Sequence, residues 1–274
     1  MLRMKSFFLL LLNVAVAICF TACGQSGQPV GEEEGLTFDS IVVDTMASLT
    51  RDPNSPRAEL HLSVIYAKGK NADVINDSLL RSGILNLDCL PIGKKRISPQ
   101  EVVDSFVINY FEDYKTDFGA LYRMDPEHTA NYNAQYVTYA NISPSVQGVA
   151  TYIADVYYYA GGLHGHHLTI VKNIDLESGR ILKLSDVVVA GAAEELLDMV
   201  VGKLCKKYDA KDLKELQQQG VFTMVDPYLP DSFILNQDGS LTFVYSDSEI
   251  ASHTEGEIRV EISSGEMKPL LKEP

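Results

Sequence analysis

Residues Gln135–Ile174 read QYVTYANISPSVQGVATYIADVYYYAGGLHGHHLTIVKNI, and this stretch decides the fold class. From Gln135 onward the apolar residues recur at every second position, the period of a half-buried strand. Three strands are expected, over Gln135–Ile142, Val146–Tyr159 and His166–Ile174, all dense in Tyr, Val and Ile. Glu177-Ser178-Gly179-Arg180 makes a turn, and Ile181–Leu184 runs back.

The flanks carry a different period. Upstream, Leu60, Leu62, Val64 and Tyr66 alternate as an early strand. Asn71 is then placed to cap a helix with Val74, Ile75 and Leu79 on one face, ending near Gly83. A second helix is signalled more fully. Ser98 is an N-cap, Pro99 occupies the first helical position and Glu101 completes a capping box. Val103, Phe106, Tyr110, Tyr114 and Phe118 follow as a core-facing stripe. Downstream, a helix over Ala192–Tyr208 shows a face of Leu197, Val200, Val201, Leu204 and Tyr208. Glu194 and Glu195 at its start and Lys203, Lys206 and Lys207 at its end suit the helix dipole. Asp209 is placed to cap a short helix through Leu213 and Leu216. Asp238-Gly239 is a hairpin turn between Phe233/Leu235 and Leu241/Phe243/Tyr245, and Ile258, Val260 and Ile262 form a last strand. Helices and hairpins mix without a βαβ rhythm, so the class is α+β: a mainly antiparallel sheet packed by a few helices.

The first residues give an address. Arg3 and Lys5 precede an apolar run from Phe7 to Phe20. That run suits a signal peptide and is too short for a membrane span of about 20 residues. It closes on Phe20-Thr21-Ala22-Cys23, small residues before a cysteine, the pattern of a lipoprotein signal. Residues 1–22 are expected to leave and Cys23 to carry lipid. Residues 23–36, rich in Gly, Gln and Glu, read as a flexible tether. Residues 37–274 form the folded part. The protein is expected to be exported and held by lipid on a bacterial membrane, at the outer membrane or a periplasmic face.

Charge narrows the partners. Residues 1–22 hold two of the 23 Lys and Arg, so the mature chain sets 21 against 37 Asp and Glu, a net of −16. Such acidity opposes nucleic acid and favours encounter with a basic partner. Of four cysteines, Cys19 leaves with the signal and Cys23 is acylated. A Cys89–Cys205 disulfide and two free thiols both fit an exported chain.

The segment Tyr158–Asp186, YYAGGLHGHHLTIVKNIDLESGRILKLSD, resembles the Gly-Gly-Ala-His-Gly segment of the DUF3298/DUF4163 family. Gly161, Gly162, His164 and Gly165 match it, with Leu163 in place of Ala. Asp175, Leu176 and Gly179 match the turn that follows, and Arg180 stands for Lys. Tyr245, Glu249, Ile250 and Ala251 resemble the family's Tyr-x-x-x-Glu-Ile-Ala segment. The resemblance implies an N-terminal part over about 37–130 and a DUF3298-like part over about 131–274. Family members include the lysozyme-binding ectodomain of RsiV-type anti-sigma factors and the accessory region of PdaC-type deacetylases. The deacetylase motifs and the sigma-binding segment are absent, so what the resemblance implies is binding in the cell envelope. A partner such as lysozyme, or cell-wall glycan, is expected.

For chemistry, the candidate cluster is His164, His166 and His167. Two residues apart on a strand, His164 and His166 would share a face and offer the alternative of a metal-dependent envelope hydrolase. His61, His128, His253, Asp155 and Glu249 are further donors that spacing does not rank. Gly161-Gly162 precedes a strand and not a helix, which argues against a phosphate loop. No catalytic motif, metal site or cofactor is expected. Tyr157, Tyr159, His166 and His167 are the candidate binding residues, within a run of tyrosines at 132, 136, 139, 152, 157, 158 and 159.

Overall fold

The computed structural model describes residues 35–85 and 98–272. The signal, Cys23, nearly all of the tether and Cys89 lie outside those residues.

Strands β1 (Thr37–Ser48) and β2 (Arg57–Lys68) open the chain as an antiparallel hairpin. The strand β1 is not signalled in the sequence. Its apolar residues Ile41, Val42 and Val43 are consecutive, because it is an edge strand buried along little of its length. Leu36, the last residue assigned to the tether, is buried in the first core and anchors the start of β1. Helices α1 (Ala72–Leu80) and α2 (Pro99–Met124) follow. They supply the crossover that a parallel pair requires, and β3 (Ala134–Pro144) duly runs parallel to β2. Then β4 (Val149–Ala160), β5 (His166–Asp175) and β6 (Ile181–Leu182) add antiparallel, giving a six-stranded sheet in sequence order. The mainly antiparallel α+β class therefore stands.

Local signals are met to different degrees. The Ser98 capping box forms as read. Ser98 Oγ accepts from the Glu101 amide at 3.2 Å, and Glu101 Oε2 accepts from the Ser98 amide at 3.0 Å. Asn71 stands at the start of α1 but does not cap it. Its backbone is left-handed, φ 60, and its Nδ2 donates instead to the Glu177 carbonyl at 2.6 Å. The expected start of β4 at Val146 moves to Val149, because Ser145 and Val149 close a tight turn. The return strand ends at Leu182, not Leu184. Asp186 accepts from the Lys183 amide at 2.9 Å and opens the short helix α3 (Leu184–Val187).

The second half builds its own core. Helix α4 (Ala192–Lys207) buries Ala192, Leu196, Val200, Leu204 and Cys205, so its face centres on Leu196 and not Leu197. Asp209 (φ 53) ends that helix, and the cap of α5 (Leu213–Gln218) is Asp212, which accepts from the Glu215 amide at 2.9 Å. Strands β7 (Phe233–Leu235), β8 (Leu241–Tyr245) and β9 (Ile258–Ile262) form a three-stranded antiparallel sheet, followed by α6 (Ser264–Met267). The five apolar hairpin residues read from the sequence, Phe233, Leu235, Leu241, Phe243 and Tyr245, are all buried. One apolar cluster thus takes residues from Leu36 to Leu176, another from Val188 to Leu270.

A polar seam joins the two sheets. Because β6 covers only Asn173 and Ile174, the rest of β5 keeps a free edge. Hydroxyls and one amide occupy it. Thr169 N–H donates to Ser246 Oγ at 3.0 Å and Val171 N–H to Ser232 Oγ at 3.2 Å. Asn173 donates to the Phe233 carbonyl at 2.8 Å and accepts from the Leu235 amide at 3.3 Å. Buried backbone groups are thereby satisfied where no strand can add. This seam sets the end of β8 beside β5, close to the glycine-rich hairpin.

Candidate functional site

The loop Gly161–Gly165 is the tip of the β4–β5 hairpin. Its shape follows from close contacts that leave no room for a side chain at Gly161 or Gly165. Gly161 has φ +78, and a Cβ there would lie 2.5 Å from the Asn131 carbonyl oxygen. A Cβ on Gly165 would lie 2.2 Å from the Tyr157 ring, which covers it. Tyr159 donates its hydroxyl to the Gly162 carbonyl at 3.0 Å. The loop thus rests on Tyr157, Tyr159 and Asn131, and it lifts Leu163 into solvent at 92% exposure.

The three histidines part company here. Strand β5 begins at His166, so His164 lies in the loop and does not share a strand face with His166. His166 stacks on Tyr158 across the hairpin, centroids 4.8 Å apart, and His167 packs against Tyr157 at 4.6 Å. The two pairs occupy opposite faces of the sheet, as period two requires. His164 turns to another partner: its ring lies 5.1 Å from that of His253.

His253 belongs to a short 3-10 turn, His253–Glu255, after β8. Its Nδ1 bonds Asp247 Oδ2 at 2.5 Å, and the Asp247 side chain is only 6% exposed. Glu249 secures the same loop. It accepts from Tyr228 Oη at 2.5 Å and from the Ser246 amide at 2.6 Å. Tyr208 donates to Glu255 at 2.9 Å. Burial first, and then the Glu255 carboxylate, pushes the Tyr208 phenol up to about 12. Burial followed by the Glu249 bond raises Tyr228 likewise. Both phenols therefore remain protonated donors throughout the physiological range.

The other donors named from the sequence lie apart. His61 pairs with Asp44 at 3.1 Å, His128 with Asp125 at 2.8 Å, and Asp155 accepts from Thr169 at 3.2 Å. Among the described residues no group of three His, Cys, Asp or Glu side chains is placed to hold a metal ion. Cys205 is a buried free thiol on α4. Tyr132, Tyr136 and Tyr152 are core residues, whereas Tyr139 and Tyr158 are exposed and Tyr157 and Tyr159 half-buried. Sequence reasoning did not find Asp247, Tyr208, Tyr228 or Glu255. The available signal was the pair of quoted motifs: one carries His164, the other runs up to His253, and the structure brings them together.

Residues 185–264 match the family model DUF3298, a protein of unknown function. The match spans most of the second core and its loop Asp247–Glu255. A crystal structure of a DUF3298 family member from Bacteroides fragilis NCTC 9343 is similar, with 26% identity and a TM-score of 0.73. It covers 87% of this chain and 95% of its own. A DUF3298 family protein from Pseudomonas aeruginosa PAO1 shares the fold at 14% identity and a TM-score of 0.59, covering 88% of this chain and 97% of its own. No curated protein matches the chain. Among the described residues no helix is long and apolar enough to cross a membrane.

Proposed function

We propose that this chain, with its DUF3298 segment at residues 185–264, is an exported, lipid-anchored envelope protein. It binds a basic protein partner through the surface made by the Gly161–Gly165 and Asp247–Glu255 loops. One observation carries the reading. Two loops from different sheets meet at His164 and His253 and are held by bonds to the scaffold, while Leu163 projects from them into solvent. A preorganised loop with an exposed apolar tip loses little entropy on docking and supplies an anchor for a partner's pocket. The acidity of the chain speeds encounter with a cationic protein. Lysozyme is the first partner to test, and the resemblance to RsiV-type ectodomains supports that choice.

The test is a titration of the full chain with lysozyme at about 0.15 M salt, where the Debye length is about 8 Å. Saturable binding that persists at this salt, and that Leu163→Asp weakens by about tenfold or more, is the expected result. Binding that vanishes at this salt, or is indifferent to Leu163→Asp, sinks the proposal.

A further inference from the structure

The outer edge of β1 is open along most of its length, only the Ser40 N–H being taken by its own neighbour Asp39, and its residues match themselves. In an antiparallel ladder, alternate residues turn both backbone groups to the same side. Three contacts settle which residues of β1 face outward. Asn76 takes both the N–H and the C=O of Ala67, at 2.7 and 2.9 Å, so Ala67 does not bond its opposite residue Phe38. Arg57 N–H, in step with Ala67 along β2, likewise points away from β1 to Asn133 Oδ1 at 3.0 Å. Ser40 N–H, in step with Phe38 along β1, goes to Asp39 Oδ1 at 2.8 Å. Phe38, Ser40, Val42, Asp44 and Met46 therefore present their N–H and C=O groups to the side away from β2. Among the described residues no strand lies beyond them.

Long edges of this kind are normally blunted by Lys, Pro or a bulge. Thr37–Ser48 has no Lys and no Pro, and its twelve residues pair one to one with β2. Val42 and Met46 are exposed, at 70% and 63%. Both acids of the strand are already answered from β2: Asp39 by Lys68 at 2.5 Å and Asp44 by His61 at 3.1 Å.

We infer that two copies of this chain pair antiparallel through β1, about a two-fold axis at Val42, to make one continuous twelve-stranded sheet from two sheets of six. In this register Val42 opposes the partner's Val42, Ser40 opposes the partner's Asp44 and Phe38 opposes the partner's Met46. Apolar meets apolar, hydroxyl meets carboxylate, and no Asp faces Asp. Moving the axis to Val43 sets Val42 against Asp44, and moving it to Ile41 sets Asp44 against Phe38. An axis between two residues opposes outward-facing with inward-facing backbone groups and forms no ladder. Of these three registers the side-chain pattern favours the one centred on Val42, an isologous pairing of the kind a two-fold dimer requires.

Sedimentation equilibrium of the full chain is expected to give twice the monomer mass. Val42→Lys, which sets two ammonium groups opposite each other on the axis, is expected to give the monomer mass with an unchanged circular dichroism spectrum. In a second experiment Val42→Cys is oxidised. Opposed Cα atoms of a hydrogen-bonded pair are about 5.5 Å apart, within disulfide range. An intermolecular disulfide is therefore expected for Val42→Cys and not for Ser63→Cys on β2 or for the parent chain. A parent chain that stays monomeric overturns the inference. So does a dimer that survives Val42→Lys, or a Val42→Cys chain that cross-links no more than Ser63→Cys.

Discussion

His164 and His253 stand with ring centroids 5.1 Å apart, one on the hairpin tip of the large sheet and the other on the loop after β8. Only His253 is bound into the protein by a charge-assisted bond, through the buried carboxylate of Asp247. The contact is therefore asymmetric: His253 belongs to the scaffold and His164 rests on it.

That asymmetry has a measurable consequence. His253→Ala leaves a buried carboxylate with the Ser248 hydroxyl as its remaining side-chain partner, and should destabilise the fold by about 1–3 kcal/mol. His164→Ala removes a ring contact from an exposed loop and should cost less than about 1 kcal/mol. Urea denaturation of both variants checks the order. Equal losses would refute it.

The Ser98 capping box should matter to global stability, since α2 packs Val102, Val103, Phe106 and Tyr114 into the protein. Ser98→Ala is expected to cost about 1 kcal/mol. A melting temperature unchanged from that of the parent chain would show that the cap contributes nothing.

Gly161 and Gly162 both hold positive φ, but only Gly161 lies against backbone. Gly162→Ala should cost about 1–2 kcal/mol, the left-handed penalty alone. Gly161→Ala must in addition move the Asn131 carbonyl and should be clearly more destabilising. Thermal melts of the two variants test the difference, and equal melting temperatures would exclude the close approach.

Glu266 gives the acid limb of stability a named contributor. Bonds from Ser263 first and then Lys203 hold its carboxyl at about 2, below the ordinary 4.5. A depressed folded value stabilises the protein above the unfolded value. That contribution is lost as pH falls from about 4.5 through about 2. Glu266→Gln should therefore flatten the dependence of melting temperature on pH in that window. A pH profile parallel to that of the parent chain would contradict the assignment.

For the address, Cys23→Ser is expected to release the protein from membranes or leave the precursor uncleaved. Fractionation of cells expressing the variant decides this, and unchanged maturation and membrane association would overturn the lipoprotein reading.

Much of this fold is legible in the sequence because local chemistry encodes it. The Ser98-Pro99-x-Glu101 signal starts α2 by satisfying its own amides. The alternation from Gln135 to Ile174 commits one face of three strands to a core, and Asp238-Gly239 turns the β7–β8 hairpin. Each of these needs only neighbours a few residues away. Three features escaped because their causes are long-range. Strand β1 exists through its ladder with β2 and has little burial to imprint a period. Asn71 forgoes its capping role because the Glu177 carbonyl, distant in sequence, takes its amide. His164 finds His253 because Ser246 and Ser232 fasten the second sheet to the free edge of β5. Sequence alone determined most of the helices and strands, β1 apart, and the glycine- and histidine-rich tip of the β4–β5 hairpin, since period, caps and turns are local. Only the tertiary structure decided which histidine meets which, because that depends on where two separately built cores are joined.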